Sequence, residues 1–419
     1  MRKSTFAKIA TLSMVPALFW SQDSFAVPAF ARKYQTSCYT CHSGFPNRNA
    51  FGEAFKNNGY RWPGGEDEDH AKQEQTKMGA NGWKQTFPDS PWPSDIPGFA
   101  PFAVYVTGPI VKYVDQVKDK NGVQTATGAQ QLTWQGPINA RILYGATIGE
   151  NFGVVGGFEN LGTNLSPTTN LRATWAFAPG VNLSFGQTGF SAFGGLASPI
   201  SVFTSVFPAS GTGPEFSYAV GKEGGFNFIA GLASAASSTG QLDFSKKLDD
   251  TRYLRAKYKF FGAGLLSGAN GTYGNEYVGL DNSLAIGASL VSARDAVLAS
   301  NYAGETLVYG VDLAGNVGSF TGGVAFSKDQ DLKLNNYAVD AGYYLYPWLL
   351  ARVRYANLGR AGVDQEIPTL TPSLTAWLRA NIFVQASYVY NTKNIAPATA
   401  NTTGVNNANS LSLNAGYAF

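Results

Sequence analysis

From residue 99 onward the chain alternates apolar and polar positions with a period of two. At that spacing successive side chains of an extended strand point to opposite faces. Leu171, Ala173, Trp175 and Phe177 share one face of such a segment, with Arg172, Thr174 and Ala176 on the other. Pro179-Gly180 follows as a turn, and Val181, Leu183 and Phe185 then alternate with Asn182, Ser184 and Gly186. The rhythm returns where Leu254, Ala256, Tyr258 and Phe260 oppose Arg255, Lys257 and Lys259. It returns again where Leu307, Tyr309 and Val311 oppose Val308, Gly310 and Asp312, and where Tyr337, Val339, Ala341 and Tyr343 oppose Asn336, Ala338 and Asp340. Ala351, Val353 and Tyr355 oppose Arg352 and Arg354. The last segment sets Leu411, Leu413, Ala415, Tyr417 and Phe419 against Ser412, Asn414, Gly416 and Ala418, so the sequence stops on an aromatic.

A soluble β-sandwich also alternates, but long aromatic-rich segments separated by polar loops favour a mainly β, transmembrane antiparallel β-barrel over residues 99–419. At about 18–20 residues per strand with its connections, that stretch holds roughly 16 strands, with 18 the other even number it allows. Segments 114–135, 190–213, 236–250 and 392–408 read as the longer external loops. Pro179-Gly180 and Arg379-Ala380-Asn381 read as short periplasmic turns. The inward set holds Arg141, Arg172, Arg255, Lys257, Lys259, Arg352, Arg354 and Arg379 against Glu159, Glu215, Asp312 and Asp340. A basic lumen of that kind repels a dication and suits anions.

Composition agrees with a barrel. Charged residues make up only 14% of the 419 residues, aromatics another 14%, and there are 48 glycines. Charge is well below the usual share in soluble domains, which is about a quarter. No run of about 18 apolar residues follows position 30, so any membrane crossing is by strands, in outer-membrane lipid. The net charge of +3 gives no reason to expect nucleic acid as a partner. Residues 1–26 read as a secretory signal of a Gram-negative cell: Arg2 and Lys3, then an apolar stretch from Ile9 to Trp20, then Ser24-Phe25-Ala26 ahead of the cut. Ala29-Phe30-Ala31 offers a second cleavage site.

The chemistry lies in residues 27–65. Cys38-Tyr39-Thr40-Cys41-His42 has the C-x-x-C-H spacing of covalent haem attachment, in which two thiols add to the haem vinyl groups and the histidine supplies the proximal imidazole. A redox disulfide lacks the βαβ pattern that accompanies it. Zinc lacks ligands, because Cys38 and Cys41 are the only cysteines and His70 is the only other histidine. For the distal position the candidates are His70, Met78, Asn57, Asn58 or a lysine, or the position stays open. Met78 is favoured over His70, since His70 ends the acidic run Glu66-Asp67-Glu68-Asp69, which reads as a solvated loop. Asn49 caps a short helix on which Phe51 and Phe55 share a face, and Asn58-Gly59 ends it. Residues 66–98 form a linker whose prolines between Phe87 and Gly98 favour extended or turn backbone. It carries Trp83 and Trp92 towards either the haem or the membrane interface. With two histidines in the chain, triads and metal-water sites have little to draw on.

Cys38 to His42 followed by Phe45-Pro46, Asn49-Ala50-Phe51-Gly52, Phe55-Lys56 and Gly59-Tyr60 resembles the opening of the fused monohaem cytochrome–porins, a family best known from iron-oxidising bacteria. The resemblance implies one c-type haem in a segment ahead of an outer-membrane barrel. It also implies electrons passing from extracellular Fe(II), or another donor or acceptor, to a periplasmic c-type cytochrome, with Fe(II) oxidase activity one form of that role. Cys38, Cys41 and His42 carry over from the family, while its distal ligand does not map onto this sequence. Outward electron transfer, and a diffusion porin whose haem segment is a plug or sensor, are the alternatives.

Overall fold

The structure is a computed structural model. It describes residues 29–44, 47–64, 67–72, 75–76, 96–97, 101–115, 131–134, 139–149, 151–159, 168–189, 210–235, 251–269, 273–275, 278–294, 305–331, 333–360, 363–392 and 409–418. The signal segment 1–26, Met78, Trp83, Trp92, most of the proline-rich stretch and Phe419 lie outside the described residues.

The period-two region closes into one antiparallel barrel. Its strands are β1 (Phe102–Val114), β2 (Gln131–Trp134 and Asn139–Ile148), β3 (Phe152–Glu159), β4 (Thr168–Ala178), β5 (Val181–Gly189), β6 (Ser210–Val220), β7 (Glu223–Ala235) and β8 (Thr251–Ala263). They continue as β9 (Ser283–Arg294), β10 (Glu305–Val317), β11 (Phe320–Asp329), β12 (Asn335–Tyr346), β13 (Leu349–Arg360), β14 (Val363–Arg379), β15 (Ile382–Asn391) and β16 (Ser410–Ala418). The two pieces of β2 pair with successive stretches of β1, Val111–Val114 and Phe102–Thr107, and so occupy one place in the wall. With β2 counted once, the barrel has the expected 16 strands, and β16 closes on β1 through the pairing of Ala418 with Tyr105.

Burial confirms the sidedness read from the alternation. Leu171 is 52% exposed and its neighbour Arg172 only 5%. Phe177, Leu254, Phe260, Val311 and Val353 are exposed on the outside, while Thr174, Arg255, Asp312 and Asp340 are buried within. An apolar exterior on this scale is a liability in water and a match for hydrocarbon. Closure leaves no unpaired strand edge, as lipid requires. Aromatic rings collect at both rims. Trp175 and Phe177 lie 4.2 Å apart and Tyr346 and Trp348 stack at 5.5 Å at one rim, while Tyr337 and Tyr355 lie 6.0 Å apart at the other. Among the described residues no helix is long and apolar enough to cross a membrane.

One end of the barrel has tight turns at 149–151, 179–180, 221–222, 318–319, 347–348 and 380–381, and one longer excursion at 264–282. Both the start of β1 and the end of β16 lie there. The expected external loops fall at the opposite end. Their margins at 131–134 and 210–213 are strand, and their central parts lie outside the described residues.

The lumen is less basic than the residue types suggest, because Arg172, Arg255, Lys259, Arg352 and Arg354 are paired with carboxylates. Arg172 meets Glu215, which also accepts from the Tyr253 hydroxyl at 2.7 Å. Arg255 grips Asp312 through two bonds of 2.6 and 3.0 Å. Arg352 and Arg354 share Asp340, and Lys259 meets Asp281 at 2.6 Å. Arg379 lies exposed at the short-turn end, and the side chain of Glu159 is outside the described residues. Electrostatic repulsion of a dication is weakened accordingly, since each carboxylate offsets a neighbouring cation.

Candidate haem-binding site

The segment ahead of the barrel folds into a small plug inside the short-turn mouth. Its helices are α1 (Ala29–Lys33), α2 (Ala50–Asn57) and α3 (Asp67–His70). Between α1 and α2, Cys38–Thr40 form a single 3-10 turn whose N-cap, Ser37, accepts from the amide of Tyr39 at 3.2 Å. His42–Gly44 then pairs with Asn47–Arg48 as a minimal hairpin.

Asn49 joins this turn to α2. Its Oδ1 caps the Gly52 amide at 3.0 Å, as the sequence predicts. Its Nδ2 donates to the carbonyls of Tyr39 and Thr40 at 2.9 and 3.2 Å. A Cβ on Gly52 would lie 2.1 Å from the Cys41 carbonyl oxygen, so the helix meets the cysteine turn through a bare backbone. Phe51 and Phe55 do share a packing cluster. Phe51 meets Trp62 at 4.9 Å, Trp62 meets Tyr34 at 5.0 Å, and Tyr34 meets Phe55 at 6.0 Å. Helix α2 stops at Asn58-Gly59, with Gly59 at φ +72°. Asn57 and Asn58 donate to the carbonyls of Leu265 and Leu266 in the long turn and so tether the plug rather than facing the cavity.

Contacts cross the mouth from wall to wall. On one side a Cβ on Gly153 of β3 would lie 2.0 Å from the Gly59 carbonyl, and one on Gly145 of β2 would meet the Phe30 ring at 2.7 Å. On the other side Gly44 sits against the indole of Trp377 on β14. Glycine inside a strand marks such close approach. Of the acidic run, Glu68 and Asp69 are exposed as expected, but residues 67–70 form helix α3 rather than a loop and Asp67 is not solvated. Asp67 is buried and forms an ion pair with Lys33. It also accepts from the Tyr34 hydroxyl at 2.6 Å, the Trp62 amide at 2.8 Å and Thr147 of β2 at 3.1 Å. Burial pushes its carboxyl up, but Lys33 and these bonds outweigh burial and hold it below its ordinary range.

Plug and wall together line a cavity of about 170 Å³ that opens to solvent. Cys38, Cys41 and His42 line it together. Facing residues come from the plug (Phe30, Tyr34, Phe55, Tyr60, Trp62) and from the wall of β1 to β3 (Ala103, Leu143, Gly145, Val155, Gly156). The surroundings are apolar apart from hydroxyls and two cations, Arg48 and Lys56. A flat, largely hydrophobic macrocycle held by two sulfurs and one imidazole fits this donor set and these walls. No disulfide joins the cysteines. Burial pushes both thiols up, Cys38 to about 11 and Cys41 to about 12. Among the described residues no group of three or more His, Cys, Asp or Glu side chains converges to hold a metal ion.

No protein-family model matches the chain, and no curated protein matches it. Among solved structures it is similar to OmpT of Vibrio cholerae, at 13% identity over 76% of this chain and 97% of that one, with a TM-score of 0.43. It is similar to Salmonella typhi OmpF in complex with daunomycin, at 12% identity over 76% and 97% of the two chains, with a TM-score of 0.47. It is also similar to the anion-selective porin from Comamonas acidovorans, at 15% identity over 76% and 98%, with a TM-score of 0.43.

Of the distal candidates, Met78 lies outside the described residues. His70 does not line the cavity; its ring stacks on the Trp62 indole with centroids 5.0 Å apart. A lysine, Lys56, does line it. The wall residues escaped the sequence reading because a barrel lumen is expected to be polar. The strand glycines at 145 and 153 were the available signal.

Proposed function

We propose that the chain is an outer-membrane cytochrome–porin fusion that moves single electrons across that membrane, inward from extracellular Fe(II) to a periplasmic c-type cytochrome. This makes it a member of the family its opening residues resemble. The carrying observation is that Cys38, Cys41 and His42 line one apolar cavity inside the short-turn mouth. Haem there supplies one-electron exchange at iron. Cys38 and Cys41 hold the group, His42 ligates it, Phe55 and Trp62 keep water from the ring, and the barrel wall completes the pocket. A soluble acceptor has direct access to the short-turn mouth, while a donor outside the cell approaches through the lumen. Pairing of Arg172, Arg255, Lys259, Arg352 and Arg354 lowers the barrier to a small cation along that route.

The test is haem staining and a redox-titrated visible spectrum of the purified protein, beside His42→Ala. We expect the variant to lose the normal haem spectrum and ferrous-dependent reduction. Ferrous-dependent reduction that survives in His42→Ala would overturn the assignment. The midpoint potential, set against candidate donors, separates inward from outward flow. A second reading, a diffusion porin with the cytochrome segment as plug or sensor, draws on the strand number, since 16-stranded porins leave an aqueous channel. It requires ion conductance in bilayers from the haem-loaded protein or on its loss of haem. A plug touching β2, β3 and β14 speaks against free passage.

A further inference from the structure

One corner of the cavity carries more positive charge than the plug's own carboxylate there offsets. Arg48 and Lys56 are the cations lining it. Arg48 bonds Glu53 at 3.0 Å, whereas the Lys56 ammonium makes no hydrogen bond or ion pair with a described residue. The Tyr60 hydroxyl also faces this space; it is buried and has no hydrogen-bond partner among the described residues. Tyr60 is held at φ +65°, a left-handed backbone that follows from the plug's fold rather than from local preference.

The charges around this corner do not balance. Arg48, Lys56, Arg172 and Lys257 act on it against Glu53 and Glu215, leaving an excess of two positive charges. Burial and the neighbouring arginines push Lys56 down to about 8, and Arg48, Lys56 and Lys257 hold Glu53 well below the usual carboxylate range despite its burial. A buried cation excess without a partner is costly, and an anion of matching charge relieves it. A dianion whose two carboxylates hang from one edge of a flat apolar ring meets both the charge and the cavity walls.

We propose that Arg48, Lys56 and Tyr60 form the propionate-binding corner of the pocket and fix the edge-on orientation of the haem. This rests on the haem reading above. It also assigns Lys56 to a carboxylate rather than to the iron.

The experiment uses the full-length, haem-loaded protein. Lys56→Gln and Tyr60→Phe are compared with the unchanged chain by mass, by redox-titrated spectrum and by infrared redox difference spectra with carboxyl-labelled haem propionates. Arg48→Gln is a third variant, read only where the mass shows haem attached, since it also breaks the bond to Glu53. The expected result is haem still attached, with an unchanged ligand-field spectrum and displaced propionate bands. In Lys56→Gln the ferric form should be favoured about tenfold, a fall of about 59 mV for a one-electron couple. In Tyr60→Phe the fall should be smaller. Haem attached with unshifted potential and propionate bands in Lys56→Gln and Tyr60→Phe overturns the proposal while leaving the haem reading intact. So does a changed axial-ligand spectrum in Lys56→Gln, which would put the amine on the iron. Unmodified protein without haem mass overturns the haem reading itself.

Discussion

The plug and the barrel are stabilised in opposite ways. Each barrel strand is zipped to two neighbours along its length, and its outward side chains face solvent or lipid that accepts many substitutes. The plug has three helices, the longest eight residues, too short to persist alone in water. It is fastened at single points: Gly52 on Cys41, Asp67 on Lys33 and Thr147, Asn57 and Asn58 on the long turn. The part to which the proposed haem chemistry is assigned therefore borrows its stability from the barrel. Damage to the plug should cost function with the barrel intact, and damage to the outer wall should cost little of either.

The sharpest way to break that asymmetry is Gly52→Val. With a Cβ placed 2.1 Å from the Cys41 carbonyl, the cysteine turn and α2 cannot both stay where they are. We expect a cost of about 3 kcal/mol, at the upper end for overpacking. Haem attachment should be largely lost, while the heat-dependent gel mobility shift of a folded barrel is kept. Loss of the barrel as well would mean the two parts fold as one. Next comes Asp67→Ala, which strands Lys33 in a buried site and should cost about 3–5 kcal/mol. Limited proteolysis of the plug should show it, and Asp67→Asn should be milder.

Acid tests the same latch more gently. The Asp67 carboxyl lies below its ordinary value of 3.8 in the folded chain. Its stabilisation is therefore complete above that value and lost as pH falls through the lower folded value. Hydrogen exchange of the plug should rise over that window in the unchanged chain and stay flat in Asp67→Asn. The smallest effect should come from Leu254→Ala on the outer face, within about 0.5 kcal/mol by thermal unfolding.

What could be read in advance follows the same division. The barrel was legible because alternation constrains both faces of every strand, so even the sidedness of Arg172 and Leu171 emerged correctly. The Asn49 cap and the Asn58-Gly59 stop were legible because their partners lie within a few residues. Asp67 was misread as solvated because its burial depends on Lys33, Tyr34 and Thr147, all distant in sequence. Asp281 was missed for a related reason: its partner Lys259 is reached across the long turn. The apolar lumen patch of Ala103, Leu143 and Val155 breaks the usual porin pattern because it faces the plug across the cavity.

Cys38 is only 5% exposed, and it sits behind a continuous hydrogen-bonded wall on one side and its own plug on the other. Under the haem reading proposed above, so buried a sulfur is expected to react before the plug seats in the barrel, which would put cofactor attachment ahead of insertion.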